Sequence, residues 1–519
     1  MSDFKAGMLY VIDLKDNVAT ALGEIPQGVA TFIGEKTGTL MLKEAIPFGH
    51  KAALRAIKKG GLVIKHGYPI AIATKDIGEG AWVHVHNVQS SFDSKARVKK
   101  PRSFKRVLQP VRTMSSGGMS EIRNEICQGY LRQGGRKGIR NKVLVMYTVD
   151  CSAHVAAKIQ QHFFEKGFDV DVVGQRSCSE HYNRTQMLLA YCRHPNVGSV
   201  LVVGHGCEST GAAKIVEYAM ENDRIAEHFF IQDAGGTTKS IGKGIAIVER
   251  TLDRLKDTVR VPFYLSDLVI GAKCGGSDAT SGLVANPLVG RLFDRFVVAG
   301  ATCLFSEVNE AIGLREHLVS RGVDAEAKKD LDYTYYKAED SCRKNNQFFI
   351  RPGNIAGGLT TIEEKSQSSY AKSGTSPIQG VIKIAQSPPR RGLWLFDEMP
   401  DEYYAYRLSH EGNQGGDAAI LMLMNTAGAH LNLLITGRGH TCGTGIAPTI
   451  KMTANPEVYA RMSEDVDFSA APVLDGSRSI EEMCDELRRL VEAICAGRDT
   501  NADRLGHREN EIWSVPQEP

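Results

Sequence analysis

Four apolar runs of buried-strand character end in glycine- or serine-rich turns, and each turn carries one cysteine. The runs and their cysteines are Val143–Val149 with Cys151, Val200–Val203 with Cys207, Leu268–Ile270 with Cys274, and Leu431–Ile435 with Cys442. In open α/β sheets, ligands bind beyond the carboxyl ends of the strands. The pattern therefore predicts that these turns share one site.

Amphipathic segments follow the first three runs and predict helices over His154–Lys166, Thr210–Asn222 and Pro287–Val297. Alternation of strands and helices favours parallel sheets with crossover helices. The sequence therefore predicts a larger α/β catalytic region with mainly parallel sheets. We divide this region into an α/β domain over residues 126–385 and a C-terminal α/β domain over 386–510 that completes the site.

The beginning of the chain has a different pattern. Short strands separated by Gly and Pro predict a small β-rich domain over residues 1–92, with one short helix over Lys51–Lys58. Residues 93–125 are basic and rich in Gly and Ser, which is typical of a flexible linker. The linker has a single aromatic residue, Phe104, and therefore no aromatic platform on which single-stranded nucleic acid could stack.

Charge and cysteine usage limit the class of protein. A net charge of +3 over 519 residues gives no strong attraction to nucleic acid or to membranes. No apolar stretch approaches the roughly 20 residues of a membrane helix, and the N-terminus lacks a secretory pattern. Eleven cysteines without compact spacing then favour reduced thiols. We expect a cytoplasmic protein with a small-molecule ligand.

Two polar motifs lie outside the cysteine turns. On a strand over Trp82–Val88, His84 and His86 would project from one face about 7 Å apart and share a metal or an anion; an exposed β-face explains them equally well. The glycine-rich turn before the first core strand carries side chains that can hold carboxylates, or that form a solvated basic turn. Its residues are Arg132, Arg136, Arg140 and Asn141.

Four further residues are candidates for chemistry or for substrate binding. Lys273 is a candidate base if burial lowers its pKa, and otherwise an anion holder. His154 lies at a predicted helix N-terminus, which keeps an imidazole neutral, although capping explains it as well. Ser277 and Asp278 follow two glycines and can bind a carboxylate or sugar hydroxyls, or act as ordinary N-caps.

Three of the cysteines raise the question of a metal. Cys151, Cys207 and Cys274 provide three thiolates, which suit an iron–sulfur cluster with one open position, or a single ion. Polar lining of a pocket is the alternative interpretation.

Segments along nearly the whole chain resemble the altronate/galactarate dehydratase family. In the larger region they are Gly129–Asn141, Cys151–Ala153, Gly206–Glu208, Lys273–Asp278, Ser306–Glu307, Pro352–Asn354, Gly357–Ser366, Thr436–Gly439, Pro448–Lys451 and Asp467–Ser469. The first domain resembles the family's small SAF module through Asp16–Ala19, Gly49–Lys51 and His84–Asn87.

The resemblance implies a hydro-lyase that converts a sugar acid into a 2-keto-3-deoxy acid. Such enzymes use divalent iron, with Mn²⁺ as the other candidate ion, and we expect a homo-oligomer, most simply a dimer. A base, Lys273 or His154, would remove the C2 proton while the metal assists loss of the C3 hydroxyl. His84 and His86 would supply the acid or close the site. The carboxylates would be oriented by Arg132, Arg136, Arg438 and Lys451.

One turn departs from the family pattern. Where the family continues Gly-Arg-Gly with Thr-Pro-Phe-Gly, this chain has His440–Gly443. Two other functions therefore stay open: a lyase that expels sulfite from a hydroxy acid such as sulfolactate, and a non-catalytic sugar-acid-binding protein.

Overall fold

A computed structural model of the chain describes residues 7–92, 125–179, 182–344, 350–399 and 416–509. The predicted linker lies outside the described residues except for Glu125, with which a strand begins. None of the helices formed by the described residues combines the length and the apolarity needed to cross a bilayer.

The N-terminal part is built from two small β-sheets. Its strands are Leu9–Val11 (β1), Val18–Ala21 (β2), Gly28–Gly34 (β3), Gly38–Leu42 (β4), Lys51–Ala53 (β5), Leu62–Lys65 (β6), Tyr68–Ala73 (β7), Trp82–Val83 (β8) and Val88–Gln89 (β9). They form a six-stranded sheet in the order β4-β3-β1-β2-β5-β8 and a three-stranded sheet in the order β6-β7-β9. The predicted β-rich domain is confirmed.

The helix predicted over Lys51–Lys58 is wrong. Lys51–Ala53 is a strand that pairs with β2 on one side and with β8 on the other. The side chains of Lys51, Ala52 and Ala53 are all buried. Strand pairing inside the sheet therefore overrides the helical preference of these residues.

A four-stranded parallel sheet follows in the order β13-β12-β14-β15. Its strands are Lys142–Tyr147 (β12), Val170–Gly174 (β13), Val197–Gly204 (β14) and Ile225–Phe230 (β15). A small antiparallel sheet beside it contains Glu125–Leu131 (β10), Lys137–Gly138 (β11) and Arg260–Tyr264 (β16). The helices are Asp150–Phe164 (α1), Tyr182–Cys192 (α2), Ala212–Glu221 (α3), Ile231–Ala234 (α4) and Thr237–Leu255 (α5).

The largest sheet has seven parallel strands in the order β19-β20-β18-β17-β21-β22-β23. They are Val269–Cys274 (β17), Thr302–Phe305 (β18), Ile378–Lys383 (β19), Gly392–Asp397 (β20), Leu431–Ile435 (β21), Thr449–Thr453 (β22) and Phe468–Ser469 (β23). The helices of this part are Asn286–Val298 (α6), Arg315–Ser320 (α7), Ala325–Lys344 (α8), Pro352–Ala356 (α9), Ile362–Tyr370 (α10), Asp417–Asn425 (α11), Pro456–Arg461 (α12), Ile480–Cys495 (α13) and Asn501–Leu505 (α14).

The predicted α/β fold with mainly parallel sheets is confirmed. The three helices predicted after the first three runs are present as α1, α3 and α6. The seven-stranded sheet takes strands from both sides of residue 385, so the predicted division at that point falls inside one sheet. A continuous apolar cluster runs from α2 and α3 to β18 and α11, and the two parallel sheets therefore share a core.

A buried ionic cluster attaches the N-terminal domain to α10. The Glu364 carboxylate lies 2.9 Å from the ammonium of Lys51 and 2.9 Å from that of Lys65. Burial opposes ionisation of Glu364, but the two lysines hold its pKa below its usual range. Next to the cluster, a Cβ on Gly358 would come within 2.2 Å of the Gly49 carbonyl oxygen, so this close approach requires glycine.

Candidate active site

The turns after β17 and β21 pack against each other at the carboxyl edge of the seven-stranded sheet. Gly275 N–H donates to the Ile435 carbonyl at 2.7 Å, and Gly437 N–H donates to the Gly276 carbonyl at 2.8 Å. Ligands of parallel sheets bind at this edge. The prediction that the turns after Leu268–Ile270 and Leu431–Ile435 share one place is therefore confirmed for these two.

Lys273 lies at the centre of a buried ionic network. Its ammonium is 3.0 Å from Glu307 Oε1, contacts the Asp417 carboxylate, and donates to the Cys274 carbonyl at 2.6 Å. Burial alone would lower its pKa, but Glu307 and Asp417 raise it above the usual range. The hypothesis that Lys273 is a base with a lowered pKa is wrong, because these carboxylates keep it protonated.

A second lysine completes the surroundings of Glu307. The Lys372 ammonium lies 2.9 Å from Glu307 Oε2 and 3.4 Å from Cys274 Sγ. Burial opposes ionisation of Glu307, but Lys273 and Lys372 hold its pKa below the usual range. Glu307 also has φ 74° and ψ 57°, a left-handed conformation that costs a residue with a side chain about 1–3 kcal/mol. The fold accepts this strain where it places a carboxylate between two cations.

His440 extends the network through Asp417. Its Nε2 lies 2.6 Å from Asp417 Oδ2, and Cys442 N–H donates to Nδ1 at 3.1 Å. Burial lowers the pKa of His440, but the hydrogen bond to Asp417 and the contact with Cys442 together outweigh burial and raise the pKa to about 9. A proton is therefore held between His440 and Asp417 through neutral pH.

Glu398 follows β20 and reaches the same network. Its Oε2 accepts from the backbone N–H of Glu307 at 3.3 Å. Burial and then the charges of Asp397 and Glu307 raise the pKa of Glu398 to about 7. A carboxyl group with this pKa exchanges its proton at neutral pH, which is what general acid–base catalysis requires.

The turn after β17 presents a rigid polar loop. Asp278 Oδ1 accepts from Thr280 Oγ1 at 2.7 Å and from Ser281 N–H at 3.0 Å. A Cβ on Gly437 would lie 2.1 Å from Asp278 Oδ1, so glycine is required there. Ser277 Oγ is buried without a hydrogen-bond partner among the described residues, and Arg438 is exposed beside the turn. Of the predicted substrate-binding residues, Ser277, Asp278 and Arg438 are thus brought together.

Histidines of the N-terminal domain meet this edge. His50 Nε2 lies 3.4 Å from the Ala356 carbonyl oxygen, and the His50 and His84 rings are 4.6 Å apart between centroids. Just after α9, Gly358 contacts the backbone of Gly49 and His50, and Gly357 packs on Asp278. The His50–His84 pair therefore faces the turn that follows β17.

His84 and His86 do not share a strand face. Asn87 accepts from His84 N–H at 2.9 Å and closes a turn, in which His84 is buried and His86 is exposed. Burial, followed by the charges of His50 and Lys51, lowers the pKa of His84 to about 4. Its Nδ1 is buried and has no hydrogen-bond partner within the described part of the chain.

The predicted arginine site is not at this edge. Arg132, Arg140 and Asn141 lie just before β12, and hence at the amino edge of the four-stranded sheet. Arg132 Nε donates to the Pro195 carbonyl. Arg140 donates to the carbonyl of Ile494 in the last turn of α13 and to that of Arg498 just after it. Arg136 donates to the Arg193 carbonyl and Asn141 to that of Leu255. These side chains bind backbone carbonyls of the protein, away from the Lys273 network.

The predicted three-cysteine set is also not assembled. Cys274 is buried on β17, whereas Cys151 and Cys207 are exposed on the four-stranded sheet. Within the described ranges, the one set of three metal-ligating side chains whose ligand atoms all lie within 4.8 Å of each other is Cys274, Glu307 and Glu310. The shared site predicted for all the cysteine turns is therefore divided between two sheets.

Two other candidates also lie elsewhere. His154 is the fifth residue of α1, the helix that follows β12, and it is exposed. Lys451 is fully buried in β22, with its ammonium 3.7 Å from Asp465 Oδ1. Neither residue has a described contact with the Lys273 network.

Four residues of the network escaped the prediction of site residues. Glu398, Asp417, His440 and Lys372 contact it from separate segments. Glu398 could have been found from its position, because it directly follows β20, whose apolar run Leu393–Phe396 ends two residues earlier.

Three sequence profiles match the chain. Residues 8–91 match the altronate/galactarate dehydratase SAF domain. Residues 129–256 match the second domain of D-galactarate dehydratase/altronate hydrolase. Residues 265–517 match the C-terminal domain of D-galactarate/altronate dehydratase.

Characterised relatives match over similar lengths. An altronate dehydratase of Escherichia coli (strain K12) is 31% identical over 98% of this chain and 99% of its own length. An altronate dehydratase of Bacillus subtilis (strain 168) is 30% identical over 97% of this chain and 98% of its own length. The (2R)-sulfolactate sulfo-lyase subunit beta of Chromohalobacter salexigens is 30% identical over 75% of this chain and 97% of its own length.

Proposed function

Because the chain belongs to the D-galactarate/altronate dehydratase family, we propose that it is a hydro-lyase that removes water from a sugar acid of the altronate or galactarate type. The product is a 2-keto-3-deoxy acid. The observation that carries this proposal is the match to altronate dehydratases from one end of the chain to the other. The (2R)-sulfolactate sulfo-lyase of Chromohalobacter salexigens matches this chain only as two separate subunits, beta over 75% of the chain and alpha over 11%. The altronate dehydratases match nearly the whole chain as single proteins, so loss of water is favoured over loss of sulfite.

The substrate is an anion, and the turns after β17 and β21 offer it suitable partners. The exposed guanidinium of Arg438 can bind a carboxylate in bidentate geometry. The stem of Arg438 packs over Gly276, with its Cβ 3.2 Å from where a Gly276 Cβ would lie, so a larger residue at 276 would push against this arginine. Ser277 Oγ, buried without a partner among the described residues, supplies a donor or acceptor for a sugar hydroxyl.

Removal of the C2 proton needs an unprotonated base at the same edge. We assign this role to His84, since a pKa of about 4 leaves its imidazole neutral in the physiological range. Its Nδ1 is free of protein partners within the described residues. Lys273 does not compete for the role, because its ammonium stays protonated between Glu307 and Asp417.

Replacement of His84 by Asn tests this assignment. General acid–base groups contribute typically 100-fold or more to the rate, so kcat is expected to fall about 100-fold with KM little changed. His86→Asn is the matched control, because His86 belongs to the same turn but is exposed. Steady-state kinetics of both variants decide; equal losses in the two would contradict a specific role for His84.

Departure of the C3 hydroxyl needs a proton donor, and we assign it to Glu398. Its pKa of about 7 keeps a substantial protonated fraction at neutral pH. The charge of Glu307 beside it is one cause of that raised pKa, so the ionic network sets the acid strength. Lys273 and Lys372 in turn hold Glu307 ionised.

The pH profile of kcat/KM tests the role of Glu398. The protonated form is present below the pKa of about 7 and is lost as the pH rises through that value. We therefore expect kcat/KM to fall above pH 7 in the natural chain. In Glu398→Gln the descending limb near pH 7 should be absent and the plateau about 100-fold lower. A Glu398→Gln variant that keeps both the descending limb near pH 7 and the original plateau of kcat/KM would refute the assignment.

Family membership implies divalent iron, or Mn²⁺, which would stabilise the developing enediolate and the leaving hydroxide. The set of Cys274, Glu307 and Glu310 does not fit a resident ion. Lys372 already provides a cation 2.9 Å from Glu307 and 3.4 Å from Cys274 Sγ. Burial also raises the pKa of the Cys274 thiol, which disfavours the thiolate that a metal requires. We therefore assign no step to a metal at these residues.

The proposed activity is tested by supplying altronate and galactarate to anaerobically prepared protein with ferrous iron. Formation of a 2-keto acid without sulfite is the expected result. Sulfite release from sulfolactate would support the sulfo-lyase alternative. Binding of the sugar acids without turnover would support a non-catalytic role.

A further inference from the structure

Three cysteines occupy equivalent positions at the carboxyl edge of the four-stranded sheet. In the middle of this sheet, Tyr147 of β12 is aligned with Gly174 of β13 and with Val203 of β14. Cys151, Cys178 and Cys207 each follow one of these aligned residues by four positions. Adjacent parallel strands end at the same edge of the sheet, so the three cysteines lie on neighbouring segments at that edge.

These three cysteines also differ from the rest in exposure. Cys151, Cys178 and Cys207 are exposed, whereas Cys127 is half-buried and the other seven of the eleven cysteines are buried. Buried cysteines act as small apolar fillers of a core. An exposed thiol has no such function, and three of them on neighbouring loops need another explanation.

Hydrogen bonds fix the three loops to one another. Ser209 donates through N–H and Oγ to the Cys178 carbonyl at 2.9 and 3.1 Å, which joins the loops after β14 and β13. Asp150 N–H donates to the Arg176 carbonyl at 3.3 Å, which joins the loops after β12 and β13. The thiols are therefore held on one frame before any ligand binds.

The loop that carries Cys207 is held in shape by hydrogen bonds to one of its own side chains. The Glu208 carboxylate accepts from the backbone N–H groups of His205, Gly206 and Cys207 at 3.0, 2.8 and 3.1 Å. Thr148, at the end of β12, donates through Oγ1 to the same carboxylate at 2.5 Å. These contacts are the kind of support that orients ligands in metal sites.

The spacing of the thiols is wider than a single ion requires. Two thiolates on one tetrahedral ion with bonds of about 2.3 Å lie about 3.8 Å apart. The three cysteines are not among the described sets whose ligand atoms all lie within 4.8 Å, so at least one of their S···S distances is longer. A cluster of several irons spreads its cysteine ligands over different metal atoms and suits wider spacing.

We propose that Cys151, Cys178 and Cys207 bind a [4Fe–4S] cluster through three of its irons and leave the fourth iron without a protein thiolate. Each ligation replaces an S–H bond with an Fe–S bond and releases one proton, with no change in iron oxidation state. Cys151 lies in the first turn of the 15-residue helix α1, whose N-terminal N–H groups face an anionic cluster favourably. Cys178 takes the place that the sequence prediction gave to Cys274.

The proposal does not depend on the dehydratase activity, because its test measures the metal. The full chain is incubated anaerobically with ferric iron, sulfide and an excess of a thiol reductant, which supplies the two electrons per cluster needed for a core of two ferric and two ferrous irons. Iron, acid-labile sulfide and the visible absorption spectrum are then measured. We expect about four irons and four sulfides per chain, with a charge-transfer band that bleaches in air. One iron without sulfide, or no iron, would overturn the proposal.

Variants separate this set from the other cysteines. Cys178→Ser should lose most of the iron and the sulfide, and the Cys151→Ser/Cys178→Ser/Cys207→Ser variant should lose all of both. Because these side chains are exposed, circular dichroism and the thermal unfolding temperature of the metal-free proteins should not change. Cys127→Ser is the control and should keep the full cluster. A Cys178→Ser protein with an unchanged cluster would also refute the site.

Discussion

Replacement of Lys273 by Met is expected to lower kcat/KM by about 10³-fold and the free energy of unfolding by about 3 kcal/mol. The ammonium of Lys273 lies between Glu307 and Asp417, and its side chain is 3% exposed. Without it, two carboxylates remain buried with one cation fewer. Asp417 then loses the partner that holds it against His440. Chemical unfolding and steady-state kinetics measure the two effects.

Lys142→Met is the matched control for this prediction. Lys142 is also 3% exposed and lies between two carboxylates, those of Asp169 and Asp171, but on the first strand of the four-stranded sheet. Its loss should destabilise the protein by a similar amount while the folded fraction keeps its activity. If both variants lose activity only in proportion to unfolding, the special role of Lys273 is refuted.

Replacement of Glu364 by Gln is expected to cost about 3 kcal/mol, because Lys51 and Lys65 would stay buried without a counter-charge. Burial lowers the pKa of Lys51 to about 8 even with Glu364 present. The N-terminal domain should then detach more readily and carry the His50–His84 pair away from the turn after β17. Urea unfolding, limited proteolysis and kcat measure these consequences.

The pH dependence of this cluster has a defined sign. The folded-state pKa of Glu364 is lowered, so its contribution is present above the unfolded value of about 4.3 and is lost as the pH falls through the folded value. Asp76→Asn in the same domain is the control, because the Lys58–Asp76 pair is exposed and exposed pairs contribute little. Equal stability of Glu364→Gln and the natural chain would contradict the proposed anchoring.

Local patterns predicted the sheets and the edge of the site, but not the partners within it. The turn of Lys273 and Cys274 was found because a strand ends there. Asp417 contacts Lys273 across 144 positions of sequence. That contact depends on β21 lying beside β17, and strand order in a seven-stranded sheet is not encoded in any single segment.

The arginine-rich turn was misinterpreted for a different reason. Guanidinium groups beside glycines suit carboxylates, yet Arg132 and Arg140 satisfy backbone carbonyls of the protein itself. The position of the turn carried a usable signal. Residues that precede a strand lie at its amino edge, opposite the edge where ligands of parallel sheets bind.

The prediction that His84 and His86 project from one face of a strand was wrong because of one side chain, that of Asn87. Asn87 caps the backbone at His84 and turns the chain, so the strand ends at Val83. Asn side chains commonly form such local turns in competition with β-structure. The alternation expected of a strand therefore does not apply to His84 and His86.

The order of strands in the largest sheet has a consequence for how the chain matures. Ile270 of β17 pairs with Leu431 of β21, so this half of the sheet closes only after most of the chain has been synthesised. The four-stranded sheet is contiguous in sequence and is complete by Phe230. All three thiol-bearing loops have therefore been synthesised before β17 begins, whereas the Lys273 network needs Asp417 and His440 from much later in the chain. The shared apolar cluster that contains Leu304 and Met422 joins the early sheet to the late one, so the packing of the first sheet is completed only when the second has formed.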